Sequence, residues 1–148
     1  MNWIINDFNN LTNNQLHDIY CLRNEVFVVE QNCVYQDIDG KDKNSYHVFT
    51  YGDNEIAAYS RIVPPGFLYD EPSIGRVIVK EKYRMSGLGK ELMFQSINYC
   101  KLTFRKNQQI IISAQEYLSK FYTDIGFKQI SETYLEDNIP HIKMKFYY

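Results

Sequence analysis

The run Val77-Ile78-Val79-Lys80-Glu81-Lys82-Tyr83-Arg84-Met85-Ser86-Gly87-Leu88-Gly89-Lys90 constrains this chain more than any other stretch. It joins an apolar β-branched strand to a helix through a basic turn that holds two glycines. A helix start leaves about four backbone N–H groups without intrahelical partners. The aligned peptide dipoles place roughly half a positive charge there. Glycine lets a ligand approach the backbone closely. An anion, phosphate above all, is the ligand such a turn expects. Arg76, Lys80, Lys82, Arg84 and Lys90 outnumber Glu81 and Glu91 here, in a chain whose formal net charge is −2. A local basic excess in an acidic chain points to a small polyanion and away from nucleic acid, which asks for a basic domain. No third glycine completes GxGxxG, and GxxxxGK[ST] does not occur. A glycine turn beside a solvated basic face would carry the same residues, so the turn gains meaning only from its surroundings.

Those surroundings read as one domain spanning residues 1–148. A chain of this size buries roughly two-thirds of its unfolded surface. Residues 3–5 suggest a short strand. Thr12 or Asn13 then caps a helix with Leu16, Ile19, Tyr20, Arg23 and Phe27 at helical spacing. The β-branched segment 26–29 weakens its end. A polar loop at 36–45 leads to strands at 47–51 and 55–63, which flank the turn Gly52-Asp53-Asn54. Residues 73–79 form a further strand. The helix after the glycine turn runs about five turns, with Leu92, Met93, Ile97, Cys100 and Phe104 facing inward. A buried strand at 109–114 and a short helix at 119–124, ended by Gly126, follow. Strands at 128–134 and 142–146, joined by a loop containing Pro140, close the chain. The order predicts an α/β (α+β) fold: a mixed, mostly antiparallel sheet with helices on both faces.

Three blocks in order now resemble one family. Arg84-Met85-Ser86-Gly87-Leu88-Gly89 resembles the R/Q-x-x-G-x-G/A signature of the GNAT (GCN5-related) N-acetyltransferases. Ser113-Ala114-Gln115, Phe121-Tyr122 and Gly126-Phe127 resemble that family's NAQ, FY and GF run, with Ser113 where many members carry Asn. Arg23 to Gln31, Tyr35, Asp37, Asp39, Gly40, Asp42, His47, Arg61, Gly75-Arg76-Val77 and Glu136 to His141 resemble its ElaA-like group, with Asn138 in place of the usual Gly. The resemblance covers nearly the whole chain. It implies that the turn Arg84 to Lys90 holds the pyrophosphate of acetyl-CoA (coenzyme A). It further implies that Val77, Ile78 and Val79 lie along the pantetheine arm and that Ser113 and Tyr122 touch the cofactor.

Acyl transfer to an amine needs a donor for the oxyanion, an acid for the departing thiolate and a base for the attacking amine. A backbone N–H of residues 77–79 suits the first task. Tyr122, in the position of the family's tyrosine, is the expected acid. Glu30, His47 and His141 are candidates for the base, and each also has an ordinary capping, pairing or packing role open to it. Arg23, Glu30, Tyr35, His47, Arg61 and Arg76 are the expected acceptor-side residues. Metal binding has no support: Lys41 and Val48 fall where a calcium loop needs ligands, and the His and Cys lack ligand spacing. The cysteines show no neighbouring His, so no acyl-Cys route is supported. Cys21, Cys33 and Cys100 show no CxxC pairing and read as free thiols. The N-terminus lacks a basic leader, and no run approaches about 20 apolar residues. The expectation is a cytoplasmic acetyl-CoA-dependent N-acyltransferase acting on a primary amine, with no membrane or nucleic-acid partner and with homodimer formation open. Two alternatives stand beside it. One is a non-catalytic acyl-CoA sensor. The other is a peptide-binding protein with a Tyr-rich groove, since aromatics make up 16% of the chain.

Overall fold

The computed structural model describes residues 1–148. Strand β1 (Trp3–Asp7) leads into helix α1 (Asn13–Arg23). Thr12 caps it: its hydroxyl accepts the Gln15 N–H while the Gln15 side chain accepts the Thr12 N–H, a reciprocal box. Beyond Arg23 the helix does not stop. Residues Asn24–Glu30 widen into π-type turns, with Gln31 N–H reaching back to Val26 O and Cys33 N–H to Val28 O. The crowded β-branched segment thus continues helically with wider turns.

Strands β2 (Tyr46–Gly52) and β3 (Glu55–Val63) pair through a two-residue turn in which Asp53 (φ 50°) and Asn54 (φ 64°) are both left-handed. Strand β4 (Ser73–Val79) and helix α2 (Leu88–Thr103) flank the glycine turn. Then come β5 (Gln109–Gln115), α3 (Ser119–Ile125), β6 (Lys128–Gln129), β7 (Tyr134–Glu136) and β8 (Ile139–Tyr147). Gly126 ends α3 at φ 114°. The eight strands form one sheet in the order β1-β2-β3-β4-β5-β8-β6, with β7 also on β8. Every pairing is antiparallel except β4 with β5. The expected mixed, mostly antiparallel sheet is therefore present.

Two expected boundaries differ. Residues 128–134 do not form one strand. Lys128 pairs with Lys145 but Tyr134 with His141, so two extra residues are inserted between β6 and β7. The Ser131 hydroxyl accepts the Lys143 N–H in place of a backbone carbonyl, and the ladder breaks there. Pro140 lies inside β8, not in a loop. The β7–β8 connection is only Asp137 (φ 50°) and Asn138 (φ 61°), so the asparagine takes the left-handed position the usual glycine would hold.

Each face of the sheet carries its own core. Ile19, Leu22 and Val26 pack with Phe49, Ile56, Tyr59 and Ile78 on the α1 face. Leu88, Leu92, Met93, Ile97 and Cys100 of α2 pack with Val48, Ala58, Ile62, Ile112, Ile142 and Met144 on the other. No helix is long and apolar enough to cross a membrane.

Candidate active site

The parallel pair β4–β5 shares a single registered pair, Ser73 with Ile111. Beyond it the strands part. A bulge causes part of this. The β3–β4 register slips by one between Tyr59 and Arg61, and Arg76 takes φ 52°. Bulges bend a strand and raise its twist. The gap opens into a cavity of about 1080 Å³ that both faces of the sheet reach.

Lys80 N–H donates to Ala57 O across the β3 edge at 2.9 Å. Consecutive strand residues direct their polar groups to opposite edges. The N–H of Val79 therefore faces the gap, and its carbonyl does likewise, accepting from Arg84 Nε at 2.9 Å. At the mouth, Gly87 is the N-cap of α2 at φ 86° and no side chain caps the helix. Only the third and fourth N–H groups, of Lys90 and Glu91, turn back to Gly87 O. The N–H groups of Leu88 and Gly89 have no intrahelical acceptor. A Cβ on Gly87 would meet nothing within 4 Å, so this side of the turn is open. A Cβ on Gly89 would sit 3.4 Å from the Phe121 ring and 3.5 Å from Val79, so here glycine lets α2 close against β4 and α3.

Tyr122, on the α2 face, lines the cavity and is 5% exposed. Its ring is held edge-on by Phe121 and Phe127, and its hydroxyl has no hydrogen-bond partner. Burial pushes its pKa up, so it keeps its proton. Val77, Ile78, Val79, Arg84, Met85, Gly87, Gly89, Lys90, Ser113 and Tyr122 all line the one cavity. Leu88 is packed into the core, and the Ser86 hydroxyl turns away to donate to Tyr83 O.

Several acceptor-side expectations change. Glu30 is not a free base. Arg84 clamps it with two bonds of 2.6 and 2.9 Å, and this pairing holds its carboxyl below the usual range. Arg23 and His47 do not line the cavity. Both are fully buried. His47 lies between the Tyr59 hydroxyl and Asp42 O, and burial lowers its pKa, so it stays neutral and structural. Arg23 bonds Asp37 and Asp42, each at 2.7 Å. Arg61 bonds Asp39 and Asp42, and Arg76 lies 2.6 Å from Asp37. Three arginines thus balance three aspartates, all from the polar loop, and pin that loop over the sheet. Arg61 and Arg76 reach the cavity wall but are engaged in this network. Tyr35 lines the cavity, stacks under Arg76 and donates to Asp37 at 2.8 Å. Cys21, Cys33 and Cys100 are free thiols. Contrary to expectation, Cys21 does have a histidine nearby, His17 Nε2 at 3.6 Å, but on the outer surface of α1, away from the cavity.

His141 does line the cavity. Its Nδ1 faces Ile139 O at 2.6 Å, so that nitrogen carries a proton, and Nε2 lies 3.2 Å from Glu136. Tyr134 and Glu136, which the sequence reading passed over, join it. The Ser113 hydroxyl contacts both. Residues 134 and 136 share a strand face beside a two-residue turn, a signal that appears only once the strand break at Ser131 is known.

A split parallel pair with a helix N-terminus at its mouth is a class-defining arrangement, and comparison with known proteins agrees. The family described as acetyltransferase (GNAT) domain matches residues 10–148, and the chain belongs to it. Within the family it falls in the ElaA-like group. Protein ElaA of Escherichia coli is 40% identical over 136 residues, covering 90% of this chain and 88% of ElaA. The crystal structure of that protein superposes with a TM-score of 0.90 over 99% of each chain, at 37% identity. An acyl-CoA N-acyltransferase of Pseudomonas aeruginosa gives 0.92, with 35% identity over 99% of each chain. An aminoglycoside 6'-N-acetyltransferase complexed with coenzyme A shares the fold at 14% identity (TM-score 0.73, 97% of this chain, 96% of that one).

Proposed function

We propose that this protein transfers an acyl group, acetyl in the first instance, from acyl-CoA to a primary amine by direct attack within a ternary complex. The observation that carries the proposal is the β4–β5 gap, with an open helix N-terminus at one end and the Tyr122 hydroxyl beside it. A pyrophosphate at the Gly87 turn would take the free N–H groups of Leu88 and Gly89, with Lys90 beside them. The pantetheine arm would then run along the free edge of β4, as an added strand does. A thioester carbonyl in the gap meets the Val79 N–H. One donor of this kind is worth roughly 3 kcal/mol when charge develops on the oxygen.

The neutral amine attacks the carbonyl carbon, and the tetrahedral oxyanion accepts from Val79 N–H. As the intermediate collapses, the C–S bond breaks, Tyr122 gives its proton to the thiolate, and the nitrogen sheds its surplus proton to solvent, from which Tyr122 is reprotonated. The relatives support this reading by family, and the fold neighbour that holds coenzyme A supports the ligand class. Three free thiols fit a reducing cytoplasm.

The test is release of free CoA thiol from acetyl-CoA across a broad panel of primary amines. Amine-dependent release supports the proposal. Tight CoA binding with no release from any amine would point instead to an acyl-CoA sensor, and absence of CoA binding would overturn both.

A further inference from the structure

We infer that Glu136 seats the acceptor's ammonium group and, with His141, takes up the proton it must lose. This deepens the acyl-transfer reading and rests on it. The inference starts from charge accounting at the cavity wall. Glu30 is held by Arg84, and Asp39 by Arg61 and Arg76. Two lining carboxylates have no Lys or Arg partner, Glu136 and Asp137. Glu136 is the one built into a hydrogen-bonded group.

The directions of those bonds are fixed by their donors. Ser113 has one hydroxyl proton and gives it to Glu136 Oε2 at 3.3 Å. The Tyr134 hydroxyl must therefore donate to Ser113. His141 uses Nδ1–H on Ile139 O, leaving Nε2 facing Glu136 Oε2 at 3.2 Å. With Nδ1 carrying the ring proton, Nε2 presents its lone pair toward Oε2, and one incoming proton fits between the two acceptors. Both recorded contacts fall on Oε2, which leaves Oε1 for a ligand. The Glu136 side chain is 51% exposed. Tyr69 stands close enough that Glu136 and Tyr134 add to the effect of burial in raising its pKa. Lys143 Nζ lies over the Tyr69 ring, 5.3 Å from its centroid, and Asp137 follows Glu136 in the turn. A carboxylate beside aromatic rings is a seat for an alkylammonium group.

Position supports the assignment. Cross-strand pairing puts Ser113, Tyr134, Glu136 and His141 on the α1 face of the split sheet. Tyr122 belongs to the α2 face. Acid and base thus stand on opposite sides of the gap that would hold the carbonyl. The balance is simple. The ammonium N–H bond breaks, its proton goes to the Glu136–His141 pair, and the freed lone pair forms the C–N bond. Tyr134 and Ser113 are positioning residues, acting through Glu136.

The test compares wild type with Glu136→Gln, which keeps shape and removes charge. One arm measures binding of n-butylammonium to the CoA-loaded protein by ligand-observed NMR, with n-butanol as the uncharged control. Binding should weaken at least about tenfold for the cation and stay level for the alcohol. The other arm measures acetylation of n-butylamine and of trifluoroethylamine, a far weaker base. The variant should lose roughly 10²–10⁴-fold with butylamine and much less with trifluoroethylamine, because the latter is already neutral. CoA affinity and melting temperature report on folding. Unchanged cation binding, or equal losses for both amines, overturns the assignment. If wild type binds butylammonium through Glu136 yet acetylates nothing, the seat stands and acyl transfer falls.

Discussion

Substitution of Gly87 separates backbone strain from anion repulsion at the proposed pyrophosphate turn. The residue sits at φ 86°, and a Cβ there has nothing within 4 Å. The Cβ of alanine or of glutamate therefore meets no clash in the free protein. Both carry the left-handed penalty of roughly 1–2 kcal/mol. At this chain length each kcal/mol lowers Tm by about 2–4 °C, so both variants should melt roughly 2–8 °C below wild type. They part on ligand binding. Unit charges about 5 Å apart repel by about 3 kcal/mol at an effective dielectric near 20. Salt at ~0.15 M, with a Debye length of about 8 Å, removes about half of that. Two phosphate charges in reach leave about 3 kcal/mol, or about a hundredfold in Kd. Titration calorimetry with acetyl-CoA on wild type, Gly87→Ala and Gly87→Glu reads this directly. Gly87→Glu should lose about a hundredfold more affinity than Gly87→Ala at equal Tm. A folded Gly87→Glu protein with Kd within about threefold of wild type would remove this turn from the cofactor site.

Tyr122→Phe should lower single-turnover acetylation by roughly 10²–10⁴-fold with acetyl-CoA affinity nearly unchanged; lost affinity with turnover intact would make it a packing residue. Acetyl-CoA at about 100 times its Kd should add about 2.7 kcal/mol of stability, and the rise in Tm should shrink with added salt; no shift at saturation counts against every CoA-based reading. Arg61→Met leaves Asp39 and Asp42 short of a partner and should cost about 3–5 kcal/mol in urea denaturation. Burial raises both carboxyls, but their arginines outweigh it and the net pKa is lowered. Their contribution is therefore complete above the ordinary carboxylate pKa of about 3.9 and is lost as pH falls below it toward the folded values. Wild-type urea midpoints should drop steeply below about pH 4, and an equally steep drop in Arg61→Met would contradict this.

Much of the scaffold was legible because local chemistry decides it. Thr12 marks a helix start, Gly52-Asp53-Asn54 marks a tight turn, and Gly126 marks a helix end, each through a contact a few residues long; the turn Asp137-Asn138 is equally local, but Pro140 drew the expected loop past it. The strand 73–79 and the glycine turn after it were legible for the same reason. The site was less so, because its logic is long-range. Glu30 meets an arginine 54 residues away, and Arg23 meets aspartates 14 and 19 residues on. Nothing local tells a buried Arg from one awaiting substrate. Glu136 was hidden by the break at Ser131, which detaches 134–136 from the strand that the pattern 128–134 suggests.

The single Ser73–Ile111 pairing has a mechanical meaning. In hydrogen-bond terms the eight strands are two sheets of four, β1 to β4 and β5 to β8, hinged at one point. Free strand edges ordinarily invite pairing with other chains. Here the exposed edge of β4 is enclosed between the π-type turns on one face and α3 on the other, so only a slender extended molecule can reach it. Such a molecule would complete the seam. The backbone amides of Val77 and Val79 should then exchange with solvent quickly in the free protein and slowly in the occupied one, while those of β2 and β3 change little.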